Sequence, residues 1–291
     1  VTAERANEIL KRLEEEGRKR GLSRRFLDFY RRLLDVQARA GQRIGAVKST
    51  LKKNRIIERQ QAGQPLISFD ELTLDWSLVQ DTFSEVTAAF ADYADLFGEL
   101  PPSVRQSGSR PFLPRDLARA WFEQASLPAT IPAADANEYL LLEAIIHATL
   151  NPFLAAHAKT LVVQVDQEQW RRGYCPVCGG RPDFAFLDSE SSARWLLCSR
   201  CDTEWLFQRL ECPYCLTQDT DALAYFTDDE GRYRLYICER CRKYIKAIDL
   251  RQSKSKLWLP LERLLTLEMD KEAQEMGYQP GHLEMPAGDT N

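Results

Sequence analysis

Cys175-Pro176-Val177-Cys178-Gly179-Gly180 decides the fold, because it returns 37 positions later as Cys212-Pro213-Tyr214-Cys215. A second kind of pair, Cys198-Ser199-Arg200-Cys201, returns 40 positions later as Cys238-Glu239-Arg240-Cys241. All eight cysteines of the 291-residue chain fall in these four Cys-x-x-Cys pairs. Two residues between cysteines allow a tight knuckle that aims both sulfurs at one point. Four thiolates at about 2.3 Å suit tetrahedral zinc or iron. The second knuckle of a set must come from a neighbouring strand end, and a hairpin delivers it. The spacing therefore predicts one closed set of Cys175, Cys178, Cys198 and Cys201, and another of Cys212, Cys215, Cys238 and Cys241. A cross-braced arrangement, joining the first pair to the third, is the alternative. Strand order and repeat symmetry favour sequential closure. The confinement of the cysteines to residues 175–241 favours a cytosolic metal module over a secreted disulfide framework. Closed four-thiolate sites leave no open position, so the metals read first as scaffold. Thioredoxin-type pairs precede a helix, whereas these lie among strands.

Turn and strand signals surround the cysteines in the same order twice. Phe184–Leu187 and Arg194–Leu197 flank the polar turn 188–192 and predict a hairpin, with a third strand from Thr203 to Leu210. Leu223–Thr227 and Arg232–Ile237 flank Asp228-Asp229-Glu230-Gly231, and Lys243–Leu250 follows as the third strand. This is an internal repeat whose offset changes by about three residues inside the hairpin, where loop length is tolerated. Upstream, the pattern is helical. Ile9, Leu10 and Leu13 mark a first helix, and Phe26, Leu27, Tyr30, Leu33, Leu34 and Val36 a second. Phe83, Val86, Phe90 and Phe97 mark another, stopped by Gly98, and Asp135 with Glu138 reads as a capping box. Residues 257–276 return to helical spacing, and Gly277 ends that helix. The expected fold class is α+β. A helical domain (1–172) precedes tandem rubredoxin-like or zinc-ribbon-like modules (173–211 and 212–251) and a C-terminal helix and tail (252–291).

Composition is that of a globular chain, 44% hydrophobic and 28% charged, with a formal net charge of −4. No run reaches the roughly 18 uninterrupted apolar residues of a membrane span. The most apolar stretch, Tyr139–Ala158, is broken by Glu143, His147, Asn151 and Pro152 and reads as a core helix. The first residues carry no signal-peptide pattern, and the lack of an initiating Met leaves room for a short upstream segment. Between Gly173 and Leu250, ten basic residues face thirteen acidic ones. A filled tetrathiolate adds further negative charge, which turns the ribbons away from phosphate backbones. Residues 18–59 differ, with fourteen basic residues against Asp28, Asp35 and Glu58. That excess fits either a docking surface for an acidic partner or a solvated helix face. His147 and His157 on the apolar helix read as core histidines. No P-loop, dinucleotide fingerprint, nucleophile elbow or His-Glu-x-x-His motif is present.

The helical N-terminal part, the four pairs quoted above, Tyr236-Ile237-Cys238 and Tyr244-Ile245-Lys246-Ala247-Ile248-Asp249 together resemble the formate dehydrogenase accessory protein FdhE family over nearly the whole chain. The resemblance implies a cytoplasmic maturation factor, not an enzyme. It implies binding of the catalytic subunit of respiratory formate dehydrogenases before export. It also implies two iron ions in rubredoxin-like sites, where spacing alone leaves iron and zinc open. A nucleic-acid-binding zinc ribbon and an electron-transfer protein with iron tetrathiolate sites are the rival readings.

Overall fold

The computed structural model describes residues 3–49, 51–101, 104, 111–124, 136–252 and 257–282. Its helices are α1 (Ala3–Lys19), α2 (Arg24–Ile44), α3 (Lys53–Gln61), α4 (Trp76–Asp92), α5 (Ala94–Phe97), α6 (Arg115–Glu123), α7 (Ala136–Leu161), α8 (Gln167–Trp170), α9 (Leu259–Leu265) and α10 (Leu267–Glu275). Its strands are β1 (Pro182–Leu187), β2 (Arg194–Cys198), β3 (Glu204–Phe207), β4 (Leu223–Thr227), β5 (Tyr233–Cys238), β6 (Lys243–Asp249) and β7 (Gln279–Pro280). The capping-box residue Asp135 and the tail beyond His282 lie outside the described residues.

Two compact units divide the chain. The described residues of 1–47 and 68–157 form one, and those of 48–67 and 158–284 form the other. The break expected at 172/173 thus falls inside the second unit. The reason is that residues 48–67 and the end of α7 pack with the ribbons, a long-range association that no local pattern announces.

In the helical unit, Ser23 caps α2 by accepting from Phe26 N–H at 3.2 Å. The buried face of α2 is Leu27, Phe29, Leu33, Val36 and Ala40. Phe29 centres an aromatic cluster with Phe90, Tyr93 and Phe97, at centroid separations of 4.9, 5.5 and 4.4 Å. The opposite face carries the arginines. Arg25 grips Asp95 at 2.9 Å, Arg39 reaches Glu85 at 2.6 Å and Arg43 reaches Asp81 at 3.1 Å. Arg31 pairs with Glu14 and Arg32 with Asp92. The acids of α1, α4 and α5 therefore neutralise much of the basic excess that looks unopposed in the linear sequence.

Residues 137–164, which take in nearly all of α7 and the turn after it, are long and apolar enough to cross a membrane by length and composition, yet half of their most apolar window is buried inside the protein. His157 is satisfied within the fold. Its Nδ1 lies 2.8 Å from Phe153 O and its Nε2 accepts from Thr73 N–H at 3.2 Å. The His147 ring packs 6.1 Å from that of Trp121.

In the second unit the two ribbons merge into one sheet. Its order is β3-β2-β1-β6-β5-β4, with β7 beside β6. Each ribbon is antiparallel, and they join through a parallel pairing of β1 with β6 in which Ala185 faces Ala247. Without that pairing each ribbon would expose an edge in the middle of the sheet. One sheet face buries Phe184, Phe186, Leu197, Tyr233 and Ile248 around Leu259 of α9. Further along, Leu235, Ile237 and Tyr244 pack on Ala273 and Tyr278. The expected single C-terminal helix is interrupted at Thr266, where φ is −122° and the hydroxyl turns back to donate to Glu262 O at 2.7 Å.

Candidate metal centres

The structure brings all eight sulfurs into the two sequential sets, Cys175/178/198/201 and Cys212/215/238/241. Measured Sγ–Sγ separations are 3.6, 3.5 and 3.4 Å in the first set and 3.7 and 3.7 Å in the second. A tetrahedral ion with bonds of about 2.3 Å requires sulfurs about 3.8 Å apart. A disulfide would require about 2.05 Å. Both sets therefore fit a four-coordinate metal and exclude bridged cysteines.

The knuckles repeat at the level of backbone conformation. The residue after the second cysteine of each pair has positive φ: Gly179 at 76°, Asp202 at 56°, Leu216 at 59° and Arg242 at 55°. Only one of the four is glycine, so composition hides the repeated turn. The amide following the first cysteine by two turns inward, with Val177 and Arg200 N–H groups each 3.4 Å from the sulfurs of Cys175 and Cys198. Knuckle closure is also shared: Cys198 N–H donates to Thr203 O at 2.9 Å and Cys212 N–H to Thr217 O at 3.0 Å.

The two centres differ in cover. All four cysteines of the first set are buried, while Cys215 and Cys241 of the second are half-buried. The cover of the first comes from far upstream. Leu66 and Ile67 N–H donate to Pro176 O and Val177 O at 2.8 and 3.0 Å, and Tyr174 OH donates to Gly63 O at 2.7 Å. At the second centre a lighter cover comes from downstream, where Gln279 N–H donates to Arg242 O at 2.8 Å.

Charged groups brace the first centre. Arg263 of α9 donates to Asp183 at 2.9 Å, to Asp202 at 2.6 Å and to Cys198 O at 2.5 Å, tying three parts of the ribbon to one guanidinium. Below it, buried Lys246 reaches Asp270 at 2.5 Å and Arg263 O at 3.0 Å. In the metal-free sites the thiols cannot all ionise together. Burial pushes Cys175 and Cys201 well up, while hydrogen bonds from the neighbouring sulfurs, helped by Arg200, hold Cys178 well down. Burial raises Cys212, and lifts Cys241 to about 11. A metal ion entering either set must therefore displace protons.

Nothing in the sequence signals Arg263, and Gly173 and Gly180 stand there only as a boundary and as part of a motif, without a packing role. A Cβ on Gly180 would stand 3.0 Å from Cys198 Sγ, and one on Gly173 2.0 Å from Pro213 O. The doubled glycine after Cys178 is the only one of these within a motif.

Residues 174–209, which contain the whole first ligand set, match the family described as FdhE, central domain. A Protein FdhE homolog of Aquifex aeolicus is 38% identical over 143 residues, covering 47% of this chain and 49% of that protein. Over this stretch the chain is similar to FdhE proteins. Protein FdhE of Escherichia coli O127:H6 is 28% identical over 112 residues, 37% of this chain and 35% of that one. The matched stretch thus spans about half the length, or less, of these curated FdhE relatives. The crystal structure of the FdhE protein from Pseudomonas aeruginosa superposes with a TM-score of 0.60 at 20% identity, covering 98% of this chain and 96% of that one. The fold is therefore shared along nearly the whole chain, beyond the stretch in which sequence similarity is found.

Proposed function

We propose that this protein is a cytoplasmic accessory factor for formate dehydrogenase, binding the catalytic subunit during maturation and before export. The observation that carries the reading is the pair of closed thiolate sets within an FdhE fold. Eight sulfurs are committed to two four-ligand sites, which gives the metals the role of holding a recognition surface rather than binding substrate. On this reading the protein is not itself an enzyme. Iron is the metal the family resemblance favours, with zinc as the alternative. The deciding experiment is affinity capture of the tagged chain from cells that express a respiratory formate dehydrogenase. Recovery of the catalytic subunit supports the reading; recovery of nucleic acid in its place sinks it.

A second reading, electron transfer through iron tetrathiolate sites, draws support from the half-buried Cys215 and Cys241. A visible spectrum of freshly purified protein tests the redox reading in one direction. That reading requires ferric tetrathiolate, which is red, while the accessory reading accommodates iron or zinc. A colourless anaerobic preparation with two zinc ions per chain removes the redox reading.

A further inference from the structure

The sheet has a second face, and over the second ribbon it is open. Tyr225, Tyr236 and Ile245 lie side by side across β4, β5 and β6. The linker 209–214 runs along one side, and between them lies a cavity of about 150 Å³. Three cations line it, Arg194, Arg209 and Lys243, against one carboxylate, Glu211. Glu211 is itself engaged, accepting from Gln218 Nε2 at 2.9 Å.

Arg194 is the unusual member. It is 3% exposed and has no acidic partner among the described residues. One Nη2 donates to the Glu211 main-chain oxygen, and its Nε has no hydrogen-bond partner. The guanidinium lies between the rings of Phe207 and Tyr236, 5.1 and 5.7 Å from their centroids. Burying an unpaired guanidinium costs several kcal/mol as an order of magnitude, so such groups are normally paired. Desolvation already pulls Arg194 down to about 10, the signature of a cation lacking a counter-ion. Lys243 stands 5.7 Å from the Tyr214 ring on the same wall, and Tyr225 leaves half its surface open to solvent.

We propose that this cavity binds a carboxylate carrying a flat apolar group, with the carboxylate on Arg194 and the apolar group against the paired rings of Tyr225 and Tyr236, whose centroids lie 5.4 Å apart. A planar guanidinium matches a planar carboxylate, and aromatic walls suit an aryl or alkyl body. A single negative charge fits better than a phosphate dianion, because Cys212 and Cys238 line the same cavity and a thiolate set beside it repels a second negative charge. The carboxylate is supplied either by a free small molecule or by the carboxyl terminus of a polypeptide.

The test is calorimetric titration of the purified metal-loaded protein with benzoate, with N-acetyl-phenylalaninate and with N-acetyl-phenylalaninamide. One-to-one binding of benzoate alone identifies the free small carboxylate; binding of N-acetyl-phenylalaninate identifies the polypeptide terminus. In either case Arg194→Gln should weaken binding by roughly tenfold or more, the effect of losing a charge-assisted hydrogen bond. The double variant Arg209→Gln/Lys243→Gln, altered only at the rim, should weaken it severalfold and flatten its salt dependence. Failure of both carboxylates to bind overturns the proposal, as does binding of the amide as tightly as the acid. Unchanged affinity in the rim variant also overturns it, and that variant decides the matter if Arg194→Gln does not fold. If Arg194→Gln lowers metal occupancy while wild type binds neither acid, Arg194 is merely the counter-charge of the second centre and the proposal is wrong.

Discussion

Gly173 tests whether the second centre depends on the close approach of the two ribbons. A Cβ at this position would stand 2.0 Å from Pro213 O and 2.9 Å from the Pro213 carbonyl carbon. An ordinary carbon–oxygen contact is about 3.3 Å, so in Gly173→Ala the carbonyl must retreat by about 1.3 Å. Pro213 follows Cys212 directly, and its turn is closed by Leu216 N–H on Cys212 O and Cys212 N–H on Thr217 O, both 3.0 Å. The displacement is therefore passed to Cys212 and Cys215 rather than absorbed by a flexible side chain. Overpacking against backbone lies at the upper end of its usual cost, about 3 kcal/mol. Charged against the metal-bound state, that is roughly a hundredfold in affinity. The first centre is not touched by this contact. Competition with a chromophoric chelator, with metal per chain counted by mass spectrometry, should show one ion held as in wild type and the other released about a hundredfold more readily. Gly41→Ala is the control, since its Cβ meets nothing within 4 Å. Two ions held with wild-type affinity in Gly173→Ala would refute the coupling. So would a loss confined to the first centre.

Cover should also set the order of metal loss. A chelator in excess is expected to empty the set with half-buried Cys215 and Cys241 before the buried one, and alkylation mapping of the freed thiols identifies which went first. In the metal-free protein, burial raises Cys241 from 9.0 to about 11. The unfolded chain then loses that proton first, so stability falls as pH rises from about 9 to 11; metal-free melts across that range, compared with Cys241→Ser, check the sign. Tyr233 is 1% exposed and donates to buried Glu262 at 2.5 Å. Tyr233→Phe should cost about 1.5–3 kcal/mol in chemical unfolding, as expected for removing a donor from a buried charged group. Because both ribbons share one sheet, Cys178→Ser and Cys215→Ser should each shift a single cooperative melting transition of that unit, where independent ribbons would give two transitions.

The centres were legible in the sequence because a tetrathiolate needs particular atoms at particular spacing, and Cys-x-x-Cys records both. The hairpins were equally plain: the expected strands at 184–187 and 194–197 lie within β1 and β2, which extend one to two residues further. What escaped reading is carried by backbone or by distant partners. The contact of Leu66 and Ile67 with the first knuckle is made of main-chain hydrogen bonds, which place no demand on residue type. The positive φ at Leu216 and Arg242 is imposed by ligand geometry on residues that do not advertise it. The basic run of α2 looked unopposed because its partners Asp81, Glu85, Asp92 and Asp95 lie on later helices, α4 and α5.

The parallel join of β1 to β6 explains why duplication did not yield two independent ribbons. A three-stranded ribbon is small, and each copy has an apolar face too narrow to cover itself. Pairing β1 with β6 makes that face continuous, so one pair of helices, α9 and α10, covers both copies. The alanines at the join, Ala185 and Ala247, let the two strands meet without bulk on the opposite face. That opposite face is where the copies cease to be equivalent. Trp205 of the first ribbon is sealed there, its indole N–H donating to Arg172 O at 2.8 Å. Tyr225 of the second ribbon is left half exposed. The asymmetry follows from chain order: the segment 158–172 precedes the first ribbon and lies ready to cover it, whereas the chain leaving the second ribbon crosses to the helix side. An open, aromatic and cationic half-face beside a half-buried metal centre is thus a consequence of duplicating a ribbon once within a single sheet, and it is the surface on which this unit has room to bind something else.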